Sequence, residues 1–210
     1  MLALPILILV LVYTSPLVFT VVIALVLFLA MLEFNRMGLA GQCRTAQWLS
    51  AFCAAGLVFP FYQQRFDLFL LLLTASLLLI SIKILFTRPA PDLQQTIPQL
   101  GWLSLGLLYL PLLLGHLVLL RQLAMGREWI FMCLLTVMAC DSFAYFTGVN
   151  FGKRKLYPAV SPNKSIEGGL GGLLGAVVAV MLAKVIFLPQ IGYFEGIFEA
   201  MQGFPVTIRL

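Results

Sequence analysis

The sequence predicts an all-α fold, a polytopic transmembrane helical bundle of about seven segments, and three observations carry that reading. Of its 210 residues, 62% are hydrophobic and 10% charged, whereas soluble domains average roughly 45–50% and ~25%. Mean hydropathy is +1.06. Stretches of about 16–20 residues, such as GWLSLGLLYLPLLLGHLVLL at 101–120, carry no Asp, Glu, Lys or Arg, and a helix of that length crosses ~30 Å of hydrocarbon.

The first apolar stretch, 2–32, is too long for one ordinary span. The turn-like Thr14-Ser15-Pro16 divides it into segments near 2–14 and 16–32. Further segments follow near 46–61, 67–86, 101–120, 129–148 and 169–188, joined by short polar connections. Together they predict one integral membrane domain over 1–210, with a polar loop at 149–168 and no separate soluble domain. MLALPILILV has no basic leader region and runs on into membrane sequence, so a cleavable signal peptide is not expected. In the 101–120 span, Pro111 predicts a kink, and His116 is expected to serve as a structural hydrogen bonder. Cys43, Cys53, Cys133 and Cys140 form no CxxC pair and read as packing residues.

The net charge of +5 is not a nucleic-acid footprint; its meaning lies in its location, because Lys and Arg accumulate in cytoplasmic loops. Strict alternation places Arg36, Arg44, Lys83, Arg88, Lys153, Arg154, Lys155 and Lys164 on one side. Arg65, Arg121, Arg127 and Arg209 fall on the other, and Lys184 lies within a span. The 149–168 loop is thereby expected to face the cytoplasm, where nucleotides are found.

Asp141 is the strongest chemical clue. An acid at the centre of an isolated membrane helix costs about 2.5–3.5 kcal/mol, so such residues face a partner or a wet cavity. Ala144, Tyr145 and Gly148 share its helical face at offsets of three, four and seven. Small neighbours leave space there, and Tyr145 offers a hydroxyl. A cation or substrate site is the favoured reading; an acid neutralised by a base for helix packing is the other.

Downstream, SPNKSIEG at 161–168 follows a basic run. Ser161-Pro162 has the pattern of a helix N-cap and first helical residue, with outward N–H groups that attract anions. Lys164 in such a first turn opposes the helix dipole unless an anion is present. A phosphate resolves that conflict, clamped by Lys164 and the hydroxyls of Ser161 and Ser165, while Glu167 orients Lys164 or approaches a metal. An ordinary basic loop attracted to anionic lipid is the plainer alternative. Gly168/Gly172 and Gly171/Gly175 give small-xxx-small spacing, which predicts close helix packing.

The stretch DSFAYFTGVNFGKRKLYPAVSPNKSIEGGLGG resembles the phosphatidate cytidylyltransferase (CDP-diacylglycerol synthase) family. That family shows Asp-x-x-Ala-Tyr-x-x-Gly, Gly-Lys-x-x-Leu and Ser-Pro-x-Lys-Thr/Ser-x-Glu-Gly runs. Here they fall on Asp141, Ala144, Tyr145 and Gly148; on Gly152, Lys153 and Leu156; and on Ser161, Pro162, Lys164, Ser165, Glu167 and Gly168. LEFNRMGL at 32–39 is similar to the family's early Glu-Trp/Phe-x-x-Leu segment. The family's later signature, rich in metal-binding acids, has no counterpart after 189, so the chain is expected to be C-terminally incomplete relative to the family. A truncated protein, a reading frame that diverges near the end and a degenerate member each account for that.

The resemblance implies condensation of CTP with phosphatidic acid, giving CDP-diacylglycerol and pyrophosphate for phospholipid biosynthesis. It implies Mg²⁺ or another divalent cation on Asp141, Lys164 as the charge-neutralising partner, and Ser161, Ser165, Lys153, Tyr145 and Glu167 around the nucleotide. The implied location is a bacterial cytoplasmic (inner) membrane, with membrane lipid as surroundings and a homodimer as an open assembly. A CTP-dependent polyprenol or lipid kinase, a membrane transporter and an inactive family remnant remain the competing expectations.

Overall fold

The computed structural model describes residues 11, 14–39, 44–86, 93–158 and 161–187; the first expected segment, 2–14, lies almost wholly outside them. The chain forms two compact units, 1–122 and 123–210.

In the first unit, α1 (Pro16–Gly38) starts with Pro16 in its first turn and Ser15 as N-cap, whose hydroxyl accepts the Val18 N–H at 3.4 Å. The expected division at Thr14-Ser15-Pro16 is thus a helix start. After α1 come α2 (Arg44–Gly56), the single turn α3 (Phe59–Tyr62), α4 (Phe66–Leu85) and α5 (Leu93–Gln122). The structure breaks the expected 46–61 segment. Gly56 ends α2, and Pro60 sits in the first turn of α3, where a missing N–H costs nothing. With 13 residues, α2 is ~20 Å long at ~1.5 Å per residue, short of a bilayer core. Among the described residues, five helices are long and apolar enough to cross a membrane; of the about seven expected segments, 2–14 lies almost wholly outside those residues and 46–61 is the one divided. The alternation expected from the basic residues counts 46–61 as a crossing, and a helix of this length does not supply one by itself.

Aromatic rings and glycines fit together in this unit. Phe34 of α1 stacks on Trp102 of α5 with centroids 4.6 Å apart, and the indole N–H donates to the Phe34 carbonyl at 2.9 Å. Gly38 allows that approach, since a Cβ there would overlap the indole ring. Asn35 is fully buried and donates to the Ser50 hydroxyl at 2.8 Å, a polar clasp between α1 and α2. The helix α5 continues through Pro98 and Pro111. His116 pairs through Nδ1 with the carbonyl of Leu112, one turn back, in keeping with a structural role.

The second unit is a pair of long helices, α6 (Gly126–Phe151) and α7 (Ile166–Phe187), joined by an antiparallel hairpin of β1 (Lys155–Tyr157) and β2 (Ser161–Ser165). Its register pairs Lys155 with Ser165 and Tyr157 with Ser161, with an irregularity between them. The buried stripe of α7 is Gly168, Gly171, Gly172, Gly175, Ala179 and Ala183, a helical i, i+3, i+4, i+7 spacing made wholly of Gly and Ala. The glycine spacing had predicted close packing, and Ala179 and Ala183 extend it.

Candidate functional site

The candidate site occupies the end of the second unit where α6 stops, the hairpin turns and α7 begins. The helices approach through small residues. A Cβ added at Gly168 would lie 2.9 Å from the Ala144 carbonyl oxygen and 3.2 Å from the Gly148 Cα. At Gly172 it would lie 3.0 Å from both the Ala144 Cβ and the Cys140 carbonyl oxygen. Gly171 and Gly175 receive Thr147 and Phe143 in the same way. Backbone-to-backbone contact of this kind fixes the rotation of α6 on α7, and with it the direction of every other α6 side chain.

Asp141 sits on the flank of that seam. On a helical wheel of ~100° per residue it lies ~20° from Gly148 and ~60° from Ala144. The face shared with Ala144, Tyr145 and Gly148 is therefore divided: Ala144 and Gly148 pack on α7, while Asp141 and Tyr145 are exposed. Asp141 has no hydrogen bond or ion pair among the described residues. It lies ten residues before Phe151, the last residue of α6, or ~15 Å along the axis.

The loop departs from its sequence reading in register. Ser161-Pro162 does not cap the helix; both residues belong to β2, and α7 begins five residues later at Ile166. Ser165 does the capping. It is buried, and its Oγ accepts the Gly168 N–H at 3.2 Å, three residues on. Gly148, Gly152 and Gly168 surround that hydroxyl, and a Cβ at Gly152 would come within 2.6 Å of it. Lys164 consequently lies in the strand and not in the first helical turn.

Glu167, in the first turn of α7, accepts the backbone N–H groups of Lys153 at 3.2 Å and Arg154 at 3.2 and 3.3 Å. The Ile166 N–H donates to the Arg154 carbonyl at 2.9 Å. An anionic side chain at a helix N-terminus is itself favoured by the dipole. Glu167 thus works as a brace, holding the 153–154 backbone onto α7. Lys153, Arg154, Lys155 and Lys164 are all exposed at this end, and Lys164 has no hydrogen bond or ion pair among the described residues. Ser161 is half-buried and pairs with Tyr157 in the hairpin. Gly148 was legible as a small neighbour on the Asp141 face and Gly152 as a motif match; their service to Ser165 depends on the helix pairing.

The Glu167 brace gives a direct prediction. Glu167→Ala should free the hairpin while leaving the glycine seam intact, raising tryptic cleavage after Lys153, Arg154 and Lys155 by about tenfold, the factor for ~1.4 kcal/mol of lost local stability. Cleavage rates in detergent, with circular dichroism as the helix control, would check it.

A family profile described as the cytidylyltransferase family matches residues 1–204, nearly the whole chain. The chain belongs to the cytidylyltransferase family. Curated relatives include the phosphatidate cytidylyltransferase of Bacillus subtilis, 36% identical over 44% of this chain and 34% of its own length. That of Thermotoga maritima is 31% identical over 57% of this chain and 44% of its own length. The Pseudomonas aeruginosa protein of the same name is 48% identical over 34% of this chain and 26% of its own length. The matches span less than half the length of these relatives. As a member of the cytidylyltransferase family with five span-length apolar helices among the described residues, the chain is an integral membrane protein of a nucleotide-using enzyme family.

Proposed function

We propose that the protein takes part in condensing CTP with phosphatidic acid to CDP-diacylglycerol and pyrophosphate, at the α6–hairpin–α7 end of its second unit. The observation that carries the reading is an exposed Asp141, without hydrogen bond or ion pair among the described residues, within a span of the same compact unit whose end presents four exposed basic residues on a braced hairpin. Membership in the cytidylyltransferase family supplies the nucleotide.

In the proposed reaction a phosphate oxygen of the lipid attacks the α-phosphorus of CTP. The bond from that phosphorus to the bridging oxygen breaks, and the electron pair leaves with pyrophosphate. Both reactants are polyanions, so the barrier is lowered by fixed positive charge placed before they meet. Lys164 and Lys153 neutralise the nucleotide phosphates; Arg154 and Lys155 draw anions to the mouth. Ser161 and Tyr145 lie at hand as hydroxyl donors, whereas Ser165 and Glu167 hold the hairpin in place through the contacts described above. The proposed sidedness puts the hairpin in the cytoplasm of a bacterial inner membrane, so that acyl chains stay in lipid while the headgroup meets water-borne CTP.

Among the described residues, no three His, Cys, Asp or Glu side chains cluster as a metal cage. A single carboxylate fits Mg²⁺ nonetheless, because that ion is held by one or two carboxylates together with substrate phosphates and waters. Asp141 would be its protein ligand, and the ion would offset charge on the phosphates during transfer. An isolated intramembrane acid also finds in this role the polar partner that hydrocarbon denies it.

The test supplies the chain, in phosphatidic acid-containing membranes, with CTP labelled either in cytidine or in the γ-phosphate. The proposal expects cytidine label in the chloroform-soluble fraction and γ-label in pyrophosphate. Transfer of γ-label to lipid would replace it with a lipid kinase. Vesicle uptake without turnover would replace it with transport, and no conversion at all would count against activity in this chain.

A further inference from the structure

The first unit holds a feature that the nucleotide chemistry does not use. A cavity of about 400 Å³ opens between the end of α1 and the start of α2, lined by Leu32, Arg36, Arg44, Gln47 and Trp48. Arg36 stands in the last turn of α1 and Arg44 is the first residue of α2. Both are exposed, and neither is hydrogen-bonded or ion-paired among the described residues. The acid nearest in sequence, Glu33, forms no ion pair with Arg36. Arg36 is favourably placed for the helix dipole; Arg44 is not, and the first turn of α2 contains no acid to relieve it. Two forked cations lining one cavity, one of them against its helix dipole, call for an anion, and the guanidinium fork matches phosphate oxygens in pairs.

The surroundings indicate which anion source fits. Gln47 lines the cavity but gives its amide N–H to the Leu39 carbonyl at 3.1 Å, so the wall is held in place. Trp48 flanks the cavity half-exposed, and its ring lies 5.9 Å from Phe28, which in turn lies 4.9 Å from Phe52. Those rings lead from the arginines along an apolar side of α1, where Leu25 and Leu29 are also exposed. A polar head at two arginines, a tryptophan at its rim and an apolar track beyond are the separate requirements of a phospholipid: charge for the phosphate, an amphipathic ring at the interface and greasy surface for the chain.

We infer that Arg36 and Arg44 form a phosphate clamp for the headgroup of an anionic phospholipid, whose acyl chain lies along Trp48, Phe28 and Phe52. The clamp belongs to the first unit and stands whether or not the second unit turns over CTP.

The 210-residue protein, purified in detergent, would be incubated with defined lipids and its bound lipid counted by native mass spectrometry. Dioleoyl phosphatidylglycerol, an anionic phospholipid that is not the proposed substrate of the second unit, should be retained against a dioleoyl phosphatidylcholine background, and Arg36→Gln with Arg44→Gln should weaken retention at least about tenfold. Arg36→Lys with Arg44→Lys keeps the charge and loses the fork, so it should weaken retention nearly as much. Full retention by the lysine pair would overturn the clamp in favour of general attraction to anionic lipid. Inorganic phosphate at equal concentration should fail to displace the lipid; displacement would make this a free-anion site and overturn the lipid assignment. The Phe34–Trp102 stack, read by near-ultraviolet circular dichroism, reports that the variants are folded. A folded glutamine pair that retained lipid as the parent does would also overturn the proposal.

Discussion

Asp141→Asn should reduce CDP-lipid formation by at least about 10²–10³-fold, the scale of removing one group that stabilises developing charge, with membrane insertion and helix content unchanged. The substitution keeps the size of the side chain and removes only its charge. Asp141 makes no hydrogen bond or ion pair among the described residues, so folding has little to lose at that position. An isolated acid in a span is costly, and removing it should leave the protein as stable as before or slightly more so. Activity and stability therefore move in different directions. An equal fall in both would assign Asp141 to packing; turnover retained in the amide variant would remove it from the reaction. Incorporation of cytidine label into lipid, together with thermal unfolding in detergent, reads both quantities.

The second large effect concerns the seam. Gly168→Ala should destabilise the α6–α7 pair by about 1–3 kcal/mol, because the new methyl meets the Ala144 carbonyl oxygen at 2.9 Å and the Gly148 Cα at 3.2 Å. Both are backbone atoms and have no rotamer by which to move aside. The neighbouring Gly169→Ala is the control, since a Cβ there meets nothing within 4 Å. That change should be neutral or stabilising by up to about 1 kcal/mol through helix propensity. A common response of the two variants would mean that the helices do not pack through the glycine stripe. Because Gly168 also lies beside the Ser165 hydroxyl, its alanine variant should loosen the hairpin and weaken CTP binding, whereas Gly169→Ala should leave both as they are.

The sequence carried the bundle class and the glycine seam openly, since both are written in local periodicity. Gly168, Gly171, Gly172 and Gly175 read as a packing face before any partner was known, and the structure supplied Ala144, Cys140, Thr147 and Phe143 as that partner. The break in 46–61 was also legible in principle: Gly56 followed by Pro60 is a stop and a start, but the apolar run across them masked it. The cap is different. Ser161-Pro162 has the local pattern of a helix start, and its place in a strand instead rests on pairing of β2 with β1, a contact across the loop that local preference does not encode. Glu167 shows the same limit: its partners are backbone N–H groups at 153 and 154, which no side-chain pattern announces. Arg36 and Arg44 entered the sequence reading only as markers of sidedness, because the cavity between them exists only after α1 and α2 have packed.

If Asp141 and Lys164 hold a metal-bound nucleotide between them, equilibrium CTP binding registers it without requiring turnover. Affinity would be measured with and without Mg²⁺ for the parent protein, Asp141→Asn, Lys164→Gln and the double variant. Asp141→Asn should lose the Mg²⁺-dependent gain in affinity, Lys164→Gln should weaken binding by about tenfold, and the two losses should not simply add. An Asp141→Asn protein that binds CTP with undiminished dependence on Mg²⁺ would contradict that arrangement.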